Sequence, residues 1–273
     1  TMKLTGNDNY LINVRNANAK IYLNDAYIDG NIISTGLNGS TYDIYMSGST
    51  NNNTTINGKI NGADFYVNSG SLNFLADSFE NSNLILNGGV LNCLDKTTLE
   101  YSILSISTGE NTTPYLNIDV DLSNLNSDKF TVADRLSSGI LYLNNINILD
   151  GTVEELVKAG DMSVEITILN TASDSLKLAL SDKAQAYLDK YIYDASNHSE
   201  EVLDKILAQT NWSDVYNKTV SRDGVIYGLK LSDDTKKLVL YEKTVADILT
   251  SSMGDTLKLV NTTDVVNETG TSL

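Results

Sequence analysis

One histidine, one cysteine and scattered carboxylates are what this chain offers to acid–base or metal chemistry. His198 lies in Ser196-Asn197-His198-Ser199, between two predicted helices. No Gly-x-Ser-x-Gly elbow accompanies it, so a solvated loop histidine is a better reading than a Ser/His/Asp site. Cys93 sits in the apolar alternation Val90-Leu91-Asn92-Cys93-Leu94 and reads as a small buried hydrophobe rather than a reactive thiol. One His and one Cys in unrelated segments do not make a zinc or iron site.

The carboxylates need more care. Asp119 and Asp121 are two residues apart on a predicted strand and so share a face, and Asp128 would approach them from an adjacent layer. Three such oxygens would suit Ca²⁺. A solvated strand face with corner-capping Asp explains them more simply. A polysaccharide lyase would add an Arg or Lys base, but Arg15 and Arg135 stand isolated in an acidic chain whose field opposes a polyanionic substrate. The expectation is a chain with no catalytic residue, no bound cofactor and no metal. Tyr22, Tyr45, Tyr66, Tyr101, Tyr115 and Tyr142 all fall on predicted strands. A row of them on one face would bind glycan or protein; layer-to-layer stacking is the plainer reading.

The elements that must position these residues are short. Asp43-Ile44-Tyr45-Met46-Ser47-Gly48, Phe65-Tyr66-Val67-Asn68-Ser69-Gly70 and Leu84-Ile85-Leu86-Asn87-Gly88-Gly89 each join a brief apolar alternation to a turn. Strands this short bury little alone, whereas a stack of coils shares one interior. Of the 32 asparagines, 26 precede residue 151. Asn suits corners and forms ladders between equivalent positions. An apolar content of 41% suffices for a core, and a formal net charge of −16 argues against nucleic acid or anionic lipid as partners.

Beyond Gly151 the pattern changes. Thr152 to Gly160 reads as a short capped helix, and residues 181–210 read as two helices, the first capped by Ser181 with Ala184, Tyr187, Leu188, Tyr191 and Ile192 on its apolar face. The second is expected to start at Asn197 and to carry Val202, Leu203, Ile206 and Leu207, with Trp212 beside it. Strands resume at residues 224–231 and 237–241 as a hairpin or coil edge. A short helical piece is expected from Thr244 to Leu249, then a last strand from Asp255 to Val260. Two regions follow: a stacked 1–150, and 151–273 continuing or capping it.

The order Tyr115-Leu116-Asn117-Ile118-Asp119-Val120-Asp121, then Ser127-Asp128-Lys129-Phe130, then Ser138-Gly139 and a strand ending Ile146-Asn147-Ile148-Leu149, resembles the passenger region of pertactin-like bacterial autotransporter adhesins. The likeness covers roughly residues 60–150 and has Ser127 where that family usually has Ala. It implies a right-handed parallel β-helix and surface display, not chemistry. The expected fold is thus mainly β, a right-handed parallel β-helix (β-solenoid) with a small helical insertion near 181–210. The expected role is adhesion or rigid display at a bacterial cell surface or in the extracellular space, with host glycan, protein or self-association as partner. A carbohydrate-active β-helix enzyme and a phage tail fibre or spike are the alternatives. The opening Thr1-Met2-Lys3 is expected to be the cut end of a fragment.

Overall fold

In the computed structural model, the described residues are 2–5, 11–15, 19–34, 42–46, 50–75, 78–160, 163–194 and 225–244. They are mainly β, with parallel sheets and two helices. The chain lays strands down in repeating order. The first layer is β1 (Met2–Thr5), β2 (Ile12–Val14) and β3 (Lys20–Leu23). The second is β4 (Ala26–Asp29), β5 (Ile32–Ser34) and β6 (Tyr42–Met46), and the third is β7 (Asn53–Asn57), β8 (Ile60–Asn61) and β9 (Ala63–Val67). Then β10 (Ser71–Phe74) is followed by the longer β11 (Ser78–Leu86), which pairs with both β8 and β9. Next come β12 (Val90–Asn92) with β13 (Glu100–Thr108), and β14 (Tyr115–Asp121) with the short β15 (Asn126–Ser127) and β16 (Lys129–Val132). The last layers hold β17 (Gly139–Asp150), α1 (Val153–Lys158), β18 (Glu165–Thr167), β19 (Leu169–Thr171) and β20 (Leu176–Leu180).

Apart from β15, which pairs antiparallel with β14, and β18, the strands pair in parallel with their counterparts in neighbouring layers. One sheet runs β1-β4-β7-β10-β12-β14-β17-β20, and the other runs β2-β5-β8-β11-β13-β16-β19 with the branch β3-β6-β9 joining at β11. Register keeps like with like. Ile32 pairs Ile60, Ile60 pairs Phe79, Phe79 pairs Ile103 and Ile103 pairs Val132. Leu72, Leu91, Leu116 and Leu143 form an equivalent column in the facing sheet. All of these are buried. Because side chains alternate across a strand, keeping this register keeps the same face inward from layer to layer.

Turns with glycine allow the layers to sit this close. Gly70 has φ +78, and a Cβ there would lie 2.3 Å from the Asn52 carbonyl oxygen below it. Gly89, one layer on, has φ +72, and its Cβ would lie 2.6 Å from the Gly70 carbonyl oxygen. The recurring Gly at these corners therefore reflects both the left-handed backbone and the layer spacing.

At the far end the pairing changes sense. After α2 (Asp182–Lys190), the strands β21 (Ile192–Asp194), β22 (Val225–Leu231) and β23 (Lys237–Thr244) form an antiparallel sheet with β18, in the order β18-β23-β22-β21. The β22–β23 hairpin turn reaches the last parallel strands: the Leu169 and Leu178 amides donate to the carbonyls of Lys236 and Thr235, at 2.9 and 3.0 Å. The Ser181 hydroxyl accepts from the Ala184 amide, which starts α2 as the sequence suggests, and Ala184 and Leu188 are buried. The helix stops sooner than the pattern implied. Tyr191 leaves helical geometry (φ −89, ψ 73), and the backbone of Ile192 to Asp194 finds its partners on β22 instead. The expected second helix, and the expected elements after Thr244, lie outside the described residues. Among the described residues, no helix is long and apolar enough to cross a membrane.

Candidate functional site

Two ladders and one buried corner concentrate the polar chemistry. The first ladder runs over the outer face of β3, β6 and β9. Register puts Tyr22 opposite Tyr45 and Tyr45 opposite Tyr66. Their rings stack with centroids 5.3 and 4.7 Å apart and planes within 18° and 9°. Tyr22, at one end, is 66% exposed. Beside the rings runs a second outward column, Lys20, Asp43, Asp64, Asn83 and Ser105. Tyr45 donates its hydroxyl to Asp43 at 2.9 Å, Asn83 donates to Asp64 at 2.7 Å, and Ser105 donates to Asn83 at 2.6 Å. The Lys20 ammonium lies 5.9 Å from the Tyr45 ring centre. The bond to Asp43 pushes the Tyr45 phenol up to about 12, so it remains a donor at any physiological pH.

This geometry decides what the tyrosines offer. Stacked rings spend their faces on each other and turn edges and hydroxyls outward. Sugar stacking needs a free face, and within the column the ring faces of Tyr45 are occupied on both sides. The other three tyrosines singled out in the sequence do not join the column. Tyr101 is buried, while Tyr115 and Tyr142 face each other in register on β14 and β17.

The second ladder is made of asparagine, in the facing sheet. Asn73 donates to Asn53 at 2.6 Å, Asn92 to Asn73 at 2.9 Å, and Asn117 to Asn92 at 3.0 Å. A shorter one links Asn87 to Asn68 at 2.8 Å. Asn73 and Asn92 each donate to the layer before and accept from the layer after, as ladder-forming residues in stacked strands do, and the ladder ends at Asn117, whose buried Oδ1 has no partner among the described residues.

The buried corner corrects the reading of the three aspartates. Asp119 and Asp128 are both fully buried, and Asp121 points elsewhere, accepting from Asn124. A register shift between Val120 and Asp121 accompanies this parting. Asp119 accepts the amides of Asp95 (3.0 Å) and Lys96 (2.8 Å) on one oxygen and the Asn147 side chain on the other. Asp128 accepts the amides of Leu99 (2.9 Å) and Asp119 (2.8 Å). All four oxygens already hold N–H donors, so these carboxylates brace a corner and do not form an open cation cradle. Burial pushes the Asp128 carboxyl up to about 7, against the pull of its two backbone donors. The described residues contain no group of three or more His, Cys, Asp or Glu that could hold a metal ion.

The remaining candidates are dispersed. Cys93 is buried, and burial drives its thiol well up, as its apolar alternation suggested. Arg15 follows β2 in the first layer, whereas Arg135 is exposed between β16 and β17, so they belong to distant layers. His198 and Arg222 lie outside the described residues. What sequence reasoning missed is the set of buried polar corner residues. The Asn52 side chain accepts from the Asp25 amide (3.1 Å) and donates to the Leu23 carbonyl (3.0 Å), and the Ser137 hydroxyl accepts from the Ile106 amide (3.1 Å). A polar residue just outside an apolar alternation is the only sign of them in the sequence. No family model, no curated protein and no solved structure matches this chain.

Proposed function

We propose that the successive layers are coils of a right-handed parallel β-helix, and that the molecule is a non-catalytic scaffold for adhesion or display at a bacterial cell surface. The observation that carries this reading is the continuous parallel pairing along the sheet from β1 to β20, with ladders of like residues outside and an apolar column inside. Strands paired on both sides along a stack give stiffness and few free edges, which suits a spacer that holds contact surfaces away from an anchor. Dispersed carboxylates with filled oxygens favour this role over polysaccharide cleavage. The tyrosine–aspartate face of β3, β6 and β9 is the contact surface in this reading. Its exposed hydroxyl edges and acidic flank suit hydrogen bonding to a host glycan or protein.

The test has two parts. Small-angle scattering from the full chain should give a rod-like distance distribution; a spherical one ends the scaffold reading. The chain immobilised on beads should bind a mammalian glycan array or cultured epithelial cells, and Tyr22→Ala with Tyr66→Ala should weaken that binding at least tenfold. Release of unsaturated products from pectin or alginate would instead make it an enzyme.

A further inference from the structure

Asparagine is followed directly by glycine four times, at Asn38, Asn57, Asn61 and Asn87. In such a pair the glycine nitrogen can attack the asparagine side chain, because no Cβ shields it and the backbone turns easily. The attack needs that nitrogen unengaged and the peptide between the two residues free to rotate. Asn38 lies outside the described residues, and hydrogen bonding separates the other three. At Asn61 the nucleophile is occupied: the Gly62 amide donates to the Glu80 carbonyl at 3.0 Å, and the Asn61 side chain donates to the Glu80 carboxylate at 3.2 Å. The 57–58 peptide is tied by its carbonyl, which accepts from the Gly30 amide at 2.9 Å, and the Asn57 side chain donates to Asp29 at 3.0 Å. The 87–88 peptide is held at neither end. Among the described residues, no hydrogen bond reaches the Asn87 carbonyl or leaves the Gly88 amide, and the Asn87 side chain makes a single bond, to Asn68 at 2.8 Å.

We infer that Asn87 is a self-modification site, where the chain converts its own asparagine to aspartate or isoaspartate. The Gly88 nitrogen gives up its proton and attacks Cγ of Asn87. A C–N bond forms, the side-chain nitrogen leaves as ammonia, and a cyclic imide remains. Water then opens the imide at either carbonyl, so the sum is asparagine plus water giving acid plus ammonia. To reach the nitrogen, Cγ gives up only the bond to Asn68, whereas Asn57 and Asn61 must each break a backbone bond as well. The product matters to the stack. A carboxylate accepts but does not donate, so residue 87 can no longer supply the proton in its rung with Asn68. Opening at the main-chain carbonyl also routes the backbone through the side chain and lengthens it by one carbon. That extra carbon falls just before Gly88 and Gly89, where a Cβ would already lie 2.9 Å from the Asn68 carbonyl oxygen and 2.6 Å from that of Gly70. Conversion therefore loosens this corner from the layer before it, and adds negative charge to an acidic chain.

Peptide mapping by mass spectrometry, on the unaltered full chain held at mildly alkaline pH, reads the conversion residue by residue. Asn87 should convert first and Asn57 next. Asn61 should be at least ~10-fold slower than Asn87, because its nucleophile must first leave the Glu80 carbonyl. In the urea-unfolded chain the three rates should converge, since each asparagine then precedes a glycine with no fold to hold it. Isoaspartyl methyltransferase should label position 87 in the folded, aged sample. A folded chain in which Asn87 does not convert, or converts no faster than Asn61, overturns the inference. So does the same spread of rates in urea, which would place the cause in the local sequence. A product at 87 free of isoaspartate would mean that water attacked the amide directly, and overturns the imide step.

Discussion

Two groups of aromatic rings in this molecule put ring contacts to opposite ends. Inside, Phe74 stacks on Phe79 with ring centres 4.0 Å apart, Phe65 meets Phe79 edge-on at 6.0 Å, and Tyr101 stacks on Phe130 at 5.0 Å. Outside, Tyr22, Tyr45 and Tyr66 repeat the arrangement in water. Register aligns the outer column and the Tyr101–Phe130 pair, whereas Phe74 and Phe79 meet across the two facing sheets, so stacking as such identifies neither a core nor a binding face. The difference lies in what surrounds the rings. The inner set excludes water and replaces it with carbon. The outer set keeps its hydroxyl edges wet beside a column of carboxylates, where rings add little to the fold and remain available for contact.

The comparison is broken most severely from inside. Phe79→Ala leaves a hole where two aromatic contacts and two parallel pairings meet, and should cost about 4 kcal/mol of stability in chemical denaturation. Asp119→Ala should follow at ~3 kcal/mol, because the amides of Asp95 and Lys96 lose their acceptor in a dry corner. Tyr45→Ala removes two ring contacts on the outer face and should cost only ~1.5 kcal/mol. Tyr45→Phe keeps the rings and removes the bond to Asp43, so its loss should stay near 0.5 kcal/mol; a larger loss would mean that the hydroxyl, not the ring, holds the outer column. In the asparagine ladder, Asn73→Ala should cost ~1 kcal/mol or less, since its partners at Asn53 and Asn92 can turn to water. An inner and an outer aromatic deletion of equal cost would collapse the distinction drawn between the columns.

Much of the architecture is visible in the residues themselves. Asp43-Ile44-Tyr45-Met46 and Ala63-Asp64-Phe65-Tyr66-Val67 show the two-residue period of strands with one buried face, and the turn after Val67 has Gly70 where a left-handed backbone and a close approach require it. The asparagine ladder was foreseeable for the same reason. Which face of a strand turns inward is harder. Tyr66 and Tyr101 both sit in clean alternations, yet one is stacked in the open and the other is fully buried, because the period fixes that faces differ and not which one the neighbouring layer covers. Asp119 was misread on the same ground. Its alternation with Asp121 pointed to a wet face, but the register shift after Val120 separates the two, and donors from two other segments meet Asp119 inside while Asp128 accepts its amide. The helix at Ser181 was legible from its cap. Its end was not, because the backbone beyond Tyr191 is claimed by β22, more than thirty residues further along the chain.

The parallel pairing has a mechanical consequence. Leu72 pairs with Leu91, so only a short length of chain separates each of these parallel strands from its partner. Pulled from its two ends, such an object yields like a zip rather than a knot, giving up one pairing before the next is strained. Leu91 lies nineteen positions after Leu72, so release of that pair would lengthen the tether by roughly 65 Å. A row of small steps in a force–extension trace, longer for Leu91–Leu116 and Leu116–Leu143 than for Leu72–Leu91, would let the molecule absorb shear repeatedly while its inner layers stay in place.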